Sequence, residues 1–356
     1  MPWWTWLWPV LAWGVLGAKL VAGSNSALLA AAGICLLGAV FASVYHAELI
    51  AHRIGEPFGT LVLALAVTVI EVALIVSVML GGGPDTATLA RDTVFAAVMI
   101  ICNGLVGLCL LVGGIRHYAQ GFQAHGANAA LAVLAALMVL CLVLPNFTTT
   151  TRGPEFSGPQ LFFAGTVSLV LYGTFLFVQT VRHPGDFLPD EGAEDAGAHH
   201  GPRPTSRAAV VSFGLLLVCL VAVVLLAKTL TPAVNAAVAS LGAPQAVVGI
   251  VIAVVVLLPE GVAAVRAARQ NRLQTSMNLA LGSALACIGL TIPAVAAVSL
   301  VLHVPLALGL DGKEEVLLAL TLLVGVVTLG TGRTTLMQGA VHLVILASYL
   351  FLSFVP

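Results

Sequence analysis

Long apolar runs set the limits on what this chain can fold into. Of its 356 residues, 60% are hydrophobic and only 8% are charged, whereas a water-soluble domain carries about 25% charged residues. An apolar run of about twenty residues can cross a bilayer as a helix. The runs do not alternate with polar residues, as membrane strands would. About eleven of them fall at roughly 3–22, 26–47, 57–81, 93–115, 126–144, 160–181, 209–230, 244–266, 276–302, 314–331 and 335–355. The sequence therefore predicts an all-α polytopic membrane protein.

One connection differs from the others in composition. Residues 182–207 read RHPGDFLPDEGAEDAGAHHGPRPTSR, which is rich in Gly and Pro and divides the chain after the sixth predicted helix. We interpret it as a solvated acidic linker, and a cation-sensing or docking segment stays open as the alternative. Its five acids are Asp186, Asp190, Glu191, Glu194 and Asp195, and His199 and His200 are weak metal-binding candidates.

The distribution of basic residues predicts the orientation. Most of the 14 Lys and Arg residues lie in cytoplasmic connections if the N-terminus is cytoplasmic, as the positive-inside rule requires. We therefore expect a multi-pass protein of the plasma (inner) membrane with a cytoplasmic N-terminus and linker. The expected partners are the bilayer, transported cations and protons. We expect no nucleic-acid partner and no cofactor, and the oligomeric state stays open.

Two carboxylates interrupt the predicted spans. Glu71 lies within LVLALAVTVIEVALIVSVML (61–80) and Glu260 within the eighth span, whereas we expect the other acids in loops. A charged group at that depth costs roughly 2.5–3.5 kcal/mol on insertion scales. Two such groups predict sites that face a wet cavity inside the helix bundle. A protonated Glu that bonds to a neighbouring helix is the alternative.

The two carboxylates occupy matching positions. LALAVTVIEVAL (63–74) and VIAVVVLLPEGVAAV (251–265) are both branched apolar runs that lead to a Glu. Each Glu lies in the second of five helices if the chain divides into an N-terminal helix (1–25), a first repeat (26–181), the linker (182–207) and a second repeat (208–356). An odd number of helices inverts the second copy, as in secondary transporters.

Residues near each carboxylate add polar atoms. Pro259 and Gly261 flank Glu260 and predict a break in the helix, with carbonyls that line a cavity. Thr68 is three residues before Glu71 and shares its helix face. Its hydroxyl is a ligand or hydrogen-bond candidate, and a bond to its own helix is the alternative.

The next helix of each half also carries polar residues in apolar surroundings. These are Asn103 in the first half and Asn278, Ser283 and Thr291 in the second, where Gly282 and Gly289 predict close helix approach. Asn103 is the strongest candidate because a buried amide needs partners, and a packing hydrogen bond is its alternative role.

The chemistry of two carboxylates favours a hard cation. Two acids neutralise Ca²⁺ completely, which favours Ca²⁺ over Na⁺. Burial disfavours the charged form of a carboxylate, so the same groups can hold protons. Competition between a cation and protons for one site is sufficient for antiport.

Two long stretches resemble a known family. HAELIAHRIGEPFGTLVLALAVTVIEVALI (46–75) and LLPEGVAAVRAARQNRLQTSMNLALGSALACIGLTIPAVAA (257–297) resemble the calcium/cation antiporter superfamily, in particular bacterial ChaA-like Ca²⁺(Na⁺)/H⁺ antiporters. The resemblance implies an N-terminal helix plus two inverted five-helix repeats, and proton-driven exchange by alternating access. It also implies a cation site on Glu71 and Glu260, with Asn103 and Ser283 assisting.

The chain departs from the family pattern near these residues. It has AVTVIE where relatives often have G-N-A-T-E. Cys287 occupies the second-repeat position that corresponds to Asn103, and Met99 the first-repeat position that corresponds to Ser283. The site is therefore poorer in oxygen ligands, which leaves Na⁺ or K⁺ open as the ion.

Other classes of protein fit less well. A cation channel would need a filter sequence, and an intramembrane enzyme would need a motif such as HExxH or GxSxG, and neither occurs. We therefore expect no enzymatic activity. His342 is expected to pack or to form a hydrogen bond, and the six cysteines to be buried.

Overall fold

The computed structural model describes residues 1–23, 25–55, 58–79, 87–188 and 204–355. These residues fold almost entirely into helices, because the continuous apolar runs leave the backbone no partner in lipid except itself. The helices are α1 (Trp4–Ala22), α2 (Ser26–Ile54), α3 (Phe58–Met79), α4 (Leu89–His117), α5 (Ala124–Phe147), α6 (Gly158–Arg182), α7 (Ser206–Ser240), α8 (Ala246–Arg269), α9 (Leu273–Leu302), α10 (Gly312–Leu329) and α11 (Leu336–Phe354).

The length and composition of the helices fit a membrane protein. In the described part of the chain, eight helices are long and apolar enough to cross a bilayer, namely α2, α4 to α9 and α11. α3 contributes a shorter apolar stretch, Ala64–Ser77. The polytopic helical class is confirmed, while the number of eleven spans stays a prediction.

The chain divides into two compact units. The first unit comprises Met1–Gly83 and His200–Pro259, and the second comprises Pro84–His199 and Glu260–Pro356. The first therefore contains α1 to α3, α7 and α8 up to Pro259, and the second contains the rest of α8 and the remaining helices. Each unit draws helices from both predicted repeats, so the repeat boundaries stay a prediction about sequence symmetry.

The first unit is built around α2, which packs against α1, α3 and α7. Small and branched side chains such as Ala39, Val40 and Val223 fill the core. Asn25 caps α2 by accepting a hydrogen bond from the Leu28 amide at 2.7 Å. Apolar packing is thus the main internal contact of this unit.

The second unit is organised around α9, which packs against α4, α5 and α6, while α11 packs against α4 and α10. Gly289 of α9 lies against α6, where a Cβ atom would come within 2.8 Å of the Tyr172 Cβ. Close approach is therefore confirmed at Gly289. The same prediction is wrong at Gly282, where a Cβ atom would meet nothing within 4 Å among the described residues.

The second unit also contains a short ribbon that the apolar runs did not predict. Strand β1 (Ala119–Gly121) pairs antiparallel with β2 (Arg333–Thr335). Both strands lie in connections at helix ends, where the backbone groups lack helical partners. The ribbon joins the end of α4 to the start of α11.

Candidate functional site

Glu71 lies in the middle of α3 and is 4% exposed. Its neighbours Ile70 and Leu74 are also buried, and Thr68, one turn earlier, is 5% exposed. A carboxylate surrounded by protein is protected from lipid, where its charge would cost most. The structure therefore places Glu71 and Thr68 on the buried side of their helix.

Glu260 is half-buried in α8, and Ser283 of α9 donates a hydrogen bond to its Oε2. The structure thus brings together two of the predicted site residues, both of which belong to the second unit. A hydroxyl that donates to a carboxylate makes a charge-assisted bond.

The predicted break beside Glu260 is wrong. α8 is continuous from Ala246 to Arg269, with Pro259 inside it. Proline removes one backbone hydrogen bond, but helices in membranes tolerate this loss where neighbouring groups satisfy the freed carbonyl. Pro259 therefore weakens the helix locally without ending it.

Asn103 is fully buried and sits in a π-helical segment of α4, Ile100–Leu105. Its Nδ2 donates to Thr321 Oγ1 at 2.9 Å, and its Oδ1 lies 3.1 Å from His342 Nδ1. His342 Nε2 lies 3.2 Å from Thr328 Oγ1. The hydrogen-bonding role expected of His342 is confirmed, and Asn103 has partners away from both carboxylates.

Thr321 and Thr328 were missed by sequence reasoning. They lie two turns apart on α10, so they share one face of a mostly apolar helix. That spacing was the sign in the sequence that the two hydroxyls face the same neighbours. It did not identify them as part of a site, because a threonine in an apolar helix often bonds to its own backbone, as Thr321 does with Leu317 O at 2.8 Å.

The other polar residues of α9 have different roles. Asn278 donates from Nδ2 to the Phe187 carbonyl at 2.5 Å and accepts from Gln274 at 3.0 Å. It therefore anchors the chain just after α6. Thr291 is fully buried, and its hydroxyl has no hydrogen-bond partner in the part of the chain that the structure describes.

Two acids that we expected in loops are buried in helices. Asp92 lies in the first turn of α4 and Glu314 in the first turn of α10. Arg91 Nε donates to Asp92 Oδ1 at 2.8 Å, and its Nη1 donates to Gly309 O at 2.7 Å. This pairing offsets the cost of burying Asp92, which the apolar pattern of the sequence cannot reveal.

The site residues fall into separate units. Glu71 and Thr68 belong to the first unit, and Glu260, Ser283 and Asn103 to the second. Among the described residues, no group of three or more His, Cys, Asp or Glu side chains is arranged to hold a metal ion. In the linker, only Asp186 of the five acids lies within the described residues, and His199 and His200 lie outside them.

The family can be assigned from the whole sequence. The profile described as sodium/calcium exchanger protein matches residues 24–181 and 211–355. The chain belongs to the sodium/calcium exchanger protein family. The resemblance expected from the two carboxylate stretches is therefore confirmed, and the protein is an integral membrane protein of a transporter family.

Named relatives of this exchanger family cover nearly the whole chain. It is 54% identical over 360 residues to y4hA of Sinorhizobium fredii, whose name proposes an ionic transporter, covering 100% of this chain and 97% of that relative. It is 35% identical over 329 residues to the sodium-potassium/proton antiporter ChaA of Escherichia coli, covering 92% and 88%. The solved structure of native YfkE is similar in fold, with a TM-score of 0.75, 15% identity and coverage of 99% and 100%.

Proposed function

We propose that the protein is a secondary active antiporter of the plasma membrane that exchanges a cation for protons by alternating access. Glu71 and Glu260 both take part in binding, and each holds the cation and the proton in turn. The observation that carries the proposal is the buried carboxylate of Glu71 in the apolar helix α3. Its sequence position matches that of Glu260 in α8, whose carboxylate accepts a hydrogen bond from Ser283 of α9.

A two-repeat organisation, which is part of this proposal, would give the two carboxylates a shared role. The exchanger profile matches the chain twice, over residues 24–181 and 211–355. If the repeats are α2 to α6 and α7 to α11, α3 and α8 are each the second helix of a repeat. Five helices per repeat would insert the two copies in opposite senses, as in other secondary transporters.

Ca²⁺ is the first candidate for the transported ion. Two carboxylates balance its charge, and it accepts hydroxyl, amide and carbonyl oxygens at variable geometry. A site with these ligands needs no resident cofactor, since the cation is the substrate.

Na⁺ or K⁺ is the second candidate. The Escherichia coli relative is named a sodium-potassium/proton antiporter, and the chain has Cys287 and Met99 where oxygen ligands would strengthen a Ca²⁺ site. Fewer oxygen ligands reduce the advantage of a divalent ion.

The test is a survey of ions across pH with the purified chain in liposomes. Vesicles with an acid interior carry a trapped pH dye, and Ca²⁺, Na⁺ or K⁺ is added outside. The antiporter is expected to release protons, so the interior becomes more alkaline, and the ion with the highest kcat/KM is the substrate. A cation channel would instead carry cation current without a proton gradient.

Two controls make the survey specific. Protein-free vesicles report passive leak, and vesicles with Glu71→Gln protein report transport that does not use the carboxylate. If no cation changes the internal pH more than in protein-free vesicles, the antiport proposal is wrong. If the Glu71→Gln protein matches the wild type, only the role of that carboxylate is wrong. If only Na⁺ or K⁺ does so, the monovalent candidate replaces Ca²⁺.

A further inference from the structure

Four buried side chains join three helices of the second unit. We name them the Asn103 cluster, which consists of Asn103 on α4, Thr321 and Thr328 on α10, and His342 on α11. None is more than 3% exposed. Asn103 occupies the π-helical segment of α4, a kind of local distortion that often occurs at functional sites.

The cluster determines which way the Asn103 amide points. The Thr321 hydroxyl lies 2.8 Å from Leu317 O and 3.4 Å from Met99 Sδ, and both of these atoms are acceptors. Its hydrogen goes to one of them, so its oxygen accepts from Asn103. The atom of Asn103 that faces Thr321 is therefore Nδ2, at 2.9 Å. The amide oxygen Oδ1 consequently faces His342.

The amide in turn determines the state of the His342 ring. An amide oxygen only accepts, so Nδ1 of His342, 3.1 Å away, must carry a hydrogen. Nε2 lies 3.2 Å from Thr328 Oγ1, whose hydroxyl can rotate to complete the bond. Both ring nitrogens are therefore engaged, and the imidazole is held in one orientation.

We propose that His342 is a positioning residue for transport, whose Nδ1–H holds the Asn103 amide oxygen in place for the transported cation and its water. This rests on the proposed antiport and on Asn103 as one of its residues. An amide oxygen has two lone pairs, so the bond from His342 leaves one free. Without that bond Oδ1 loses its donor and only the contact between Nδ2 and Thr321 holds the amide, so its oxygen is placed less precisely for a cation.

Two substitutions separate the two ring nitrogens. In His342→Asn the amide nitrogen stands as many bonds from Cα as Nδ1 does, so a donor to Asn103 is retained. In His342→Gln the amide nitrogen takes the place of Nε2, so the contact with Thr328 is retained and the donor to Asn103 is lost. Both replacements are neutral and polar, which makes them a matched pair.

The experiment measures exchange by the full chain in liposomes, using whichever of Ca²⁺, Na⁺ or K⁺ the wild type exchanges for protons. His342→Gln is expected to raise KM for the cation about 5- to 10-fold, as expected for one lost hydrogen bond. Its kcat should stay close to wild type. His342→Asn is expected to keep a KM near that of wild type. Equal KM values in the two variants, or a loss of kcat alone, would overturn the proposal.

A double-mutant cycle tests whether His342 acts through Asn103. Asn103→Leu should raise KM at least as much as His342→Gln, and adding His342→Gln to it should change nothing further. Independent, multiplied effects would show that His342 acts elsewhere. If His342→Gln does not fold, Asn103→Leu still decides the matter, since an unchanged KM in that variant would refute the role.

The outcomes also separate this inference from the antiport proposal. If the wild type exchanges no cation for protons, the proposed function itself is wrong. If the wild type exchanges and His342→Gln keeps its KM, only the positioning role is wrong. Thermal unfolding of each purified variant confirms that the comparison is made between folded proteins.

Discussion

Different kinds of contact hold the helices together in the first unit and in the second unit. In the first unit α1, α2, α3 and α7 meet mainly through Ala, Val and Leu side chains. A buried polar link in this unit is made by His46, which contacts Ser212 Oγ at 3.1 Å and Thr5 O at 3.3 Å. In the second unit the Asn103 cluster and the Arg91 pair add hydrogen bonds between helices. Apolar packing between helices is non-directional, whereas hydrogen bonds restrict register and rotation.

This difference indicates where each unit tolerates change. Lipid is as apolar as a leucine side chain, so helices in a membrane gain little from the hydrophobic effect alone, and interhelical hydrogen bonds add specificity. The second unit therefore depends on a few polar residues, and the first on many small contacts. Both units nevertheless carry one predicted transport carboxylate.

The largest expected effect tests whether the two units contribute equally to transport. Glu71→Gln and Glu260→Gln should each abolish exchange, lowering the rate about 100-fold or more, because glutamine can neither release a proton nor balance a cation's charge. Proton release in liposomes is the measurement. Glu155→Gln, at an exposed position between α5 and α6, is the control and should keep full activity. Loss in only one of the two variants would disprove the symmetric mechanism.

The next effect concerns stability and compares one arginine in each unit. Arg91→Met in the second unit leaves the buried Asp92 carboxylate with the Thr88 hydroxyl but without a positive charge beside it, which should cost about 3–5 kcal/mol. Arg53 in the first unit is exposed and donates to Ser206 Oγ at 2.9 Å. Arg53→Met should therefore cost about 0.5 kcal/mol or less. Thermal unfolding in detergent measures both.

A double variant shows whether charge is the cause. Replacing Arg91 and Asp92 together by Met and Leu removes both buried charges, and such replacements are often nearly neutral. The double variant should therefore recover most of the stability that Arg91→Met loses. Equal losses in Arg91→Met and Arg53→Met would contradict the difference between the units.

The sequence predicted the helices better than their polar contacts. α6 was expected over 160–181 and runs from Gly158 to Arg182, because its apolar run is continuous. α7 was expected to end near 230, where the apolar run ends. It continues through Pro232 to Ser240, because polar residues interrupt an apolar run without interrupting the backbone hydrogen bonds of a helix. A carboxylate in an apolar run is visible in sequence, so Glu71 and Glu260 were found. The link from Asn103 to His342 spans most of the chain and depends on tertiary packing.

A smaller effect compares the hydroxyl that accompanies each carboxylate. Ser283→Ala removes the donor to Glu260, a bond to a charged group worth about 1.5–3 kcal/mol. It should lower kcat/KM for the cation at least about 10-fold. Thr68→Val keeps the shape of its buried side chain and should have a smaller effect if the hydroxyl bonds to its own helix. If Thr68→Val lowers kcat/KM more than Ser283→Ala does, the first unit supplies the more important hydroxyl ligand to the cation.

The smallest expected effect concerns the linker. Replacing Asp186, Asp190, Glu191, Glu194 and Asp195 by their amides should change basal exchange less than about twofold, because solvated charges contribute little. Loss of all transport in that variant would contradict the interpretation as a solvated linker.

Asn278→Ala is the informative comparison for the linker. It removes the shorter of two hydrogen bonds from α9 to the Phe187 carbonyl, the other being donated by Gln274 at 3.4 Å. α9 carries Ser283 little more than one turn further on. If the start of the linker matters mechanically, Asn278→Ala lowers exchange while the neutral linker does not, because the contact is made by a backbone oxygen and not by an acid. If the acids matter, the order of the two effects is reversed. Measuring both variants at the same cation concentration therefore separates attachment of the linker from its charge.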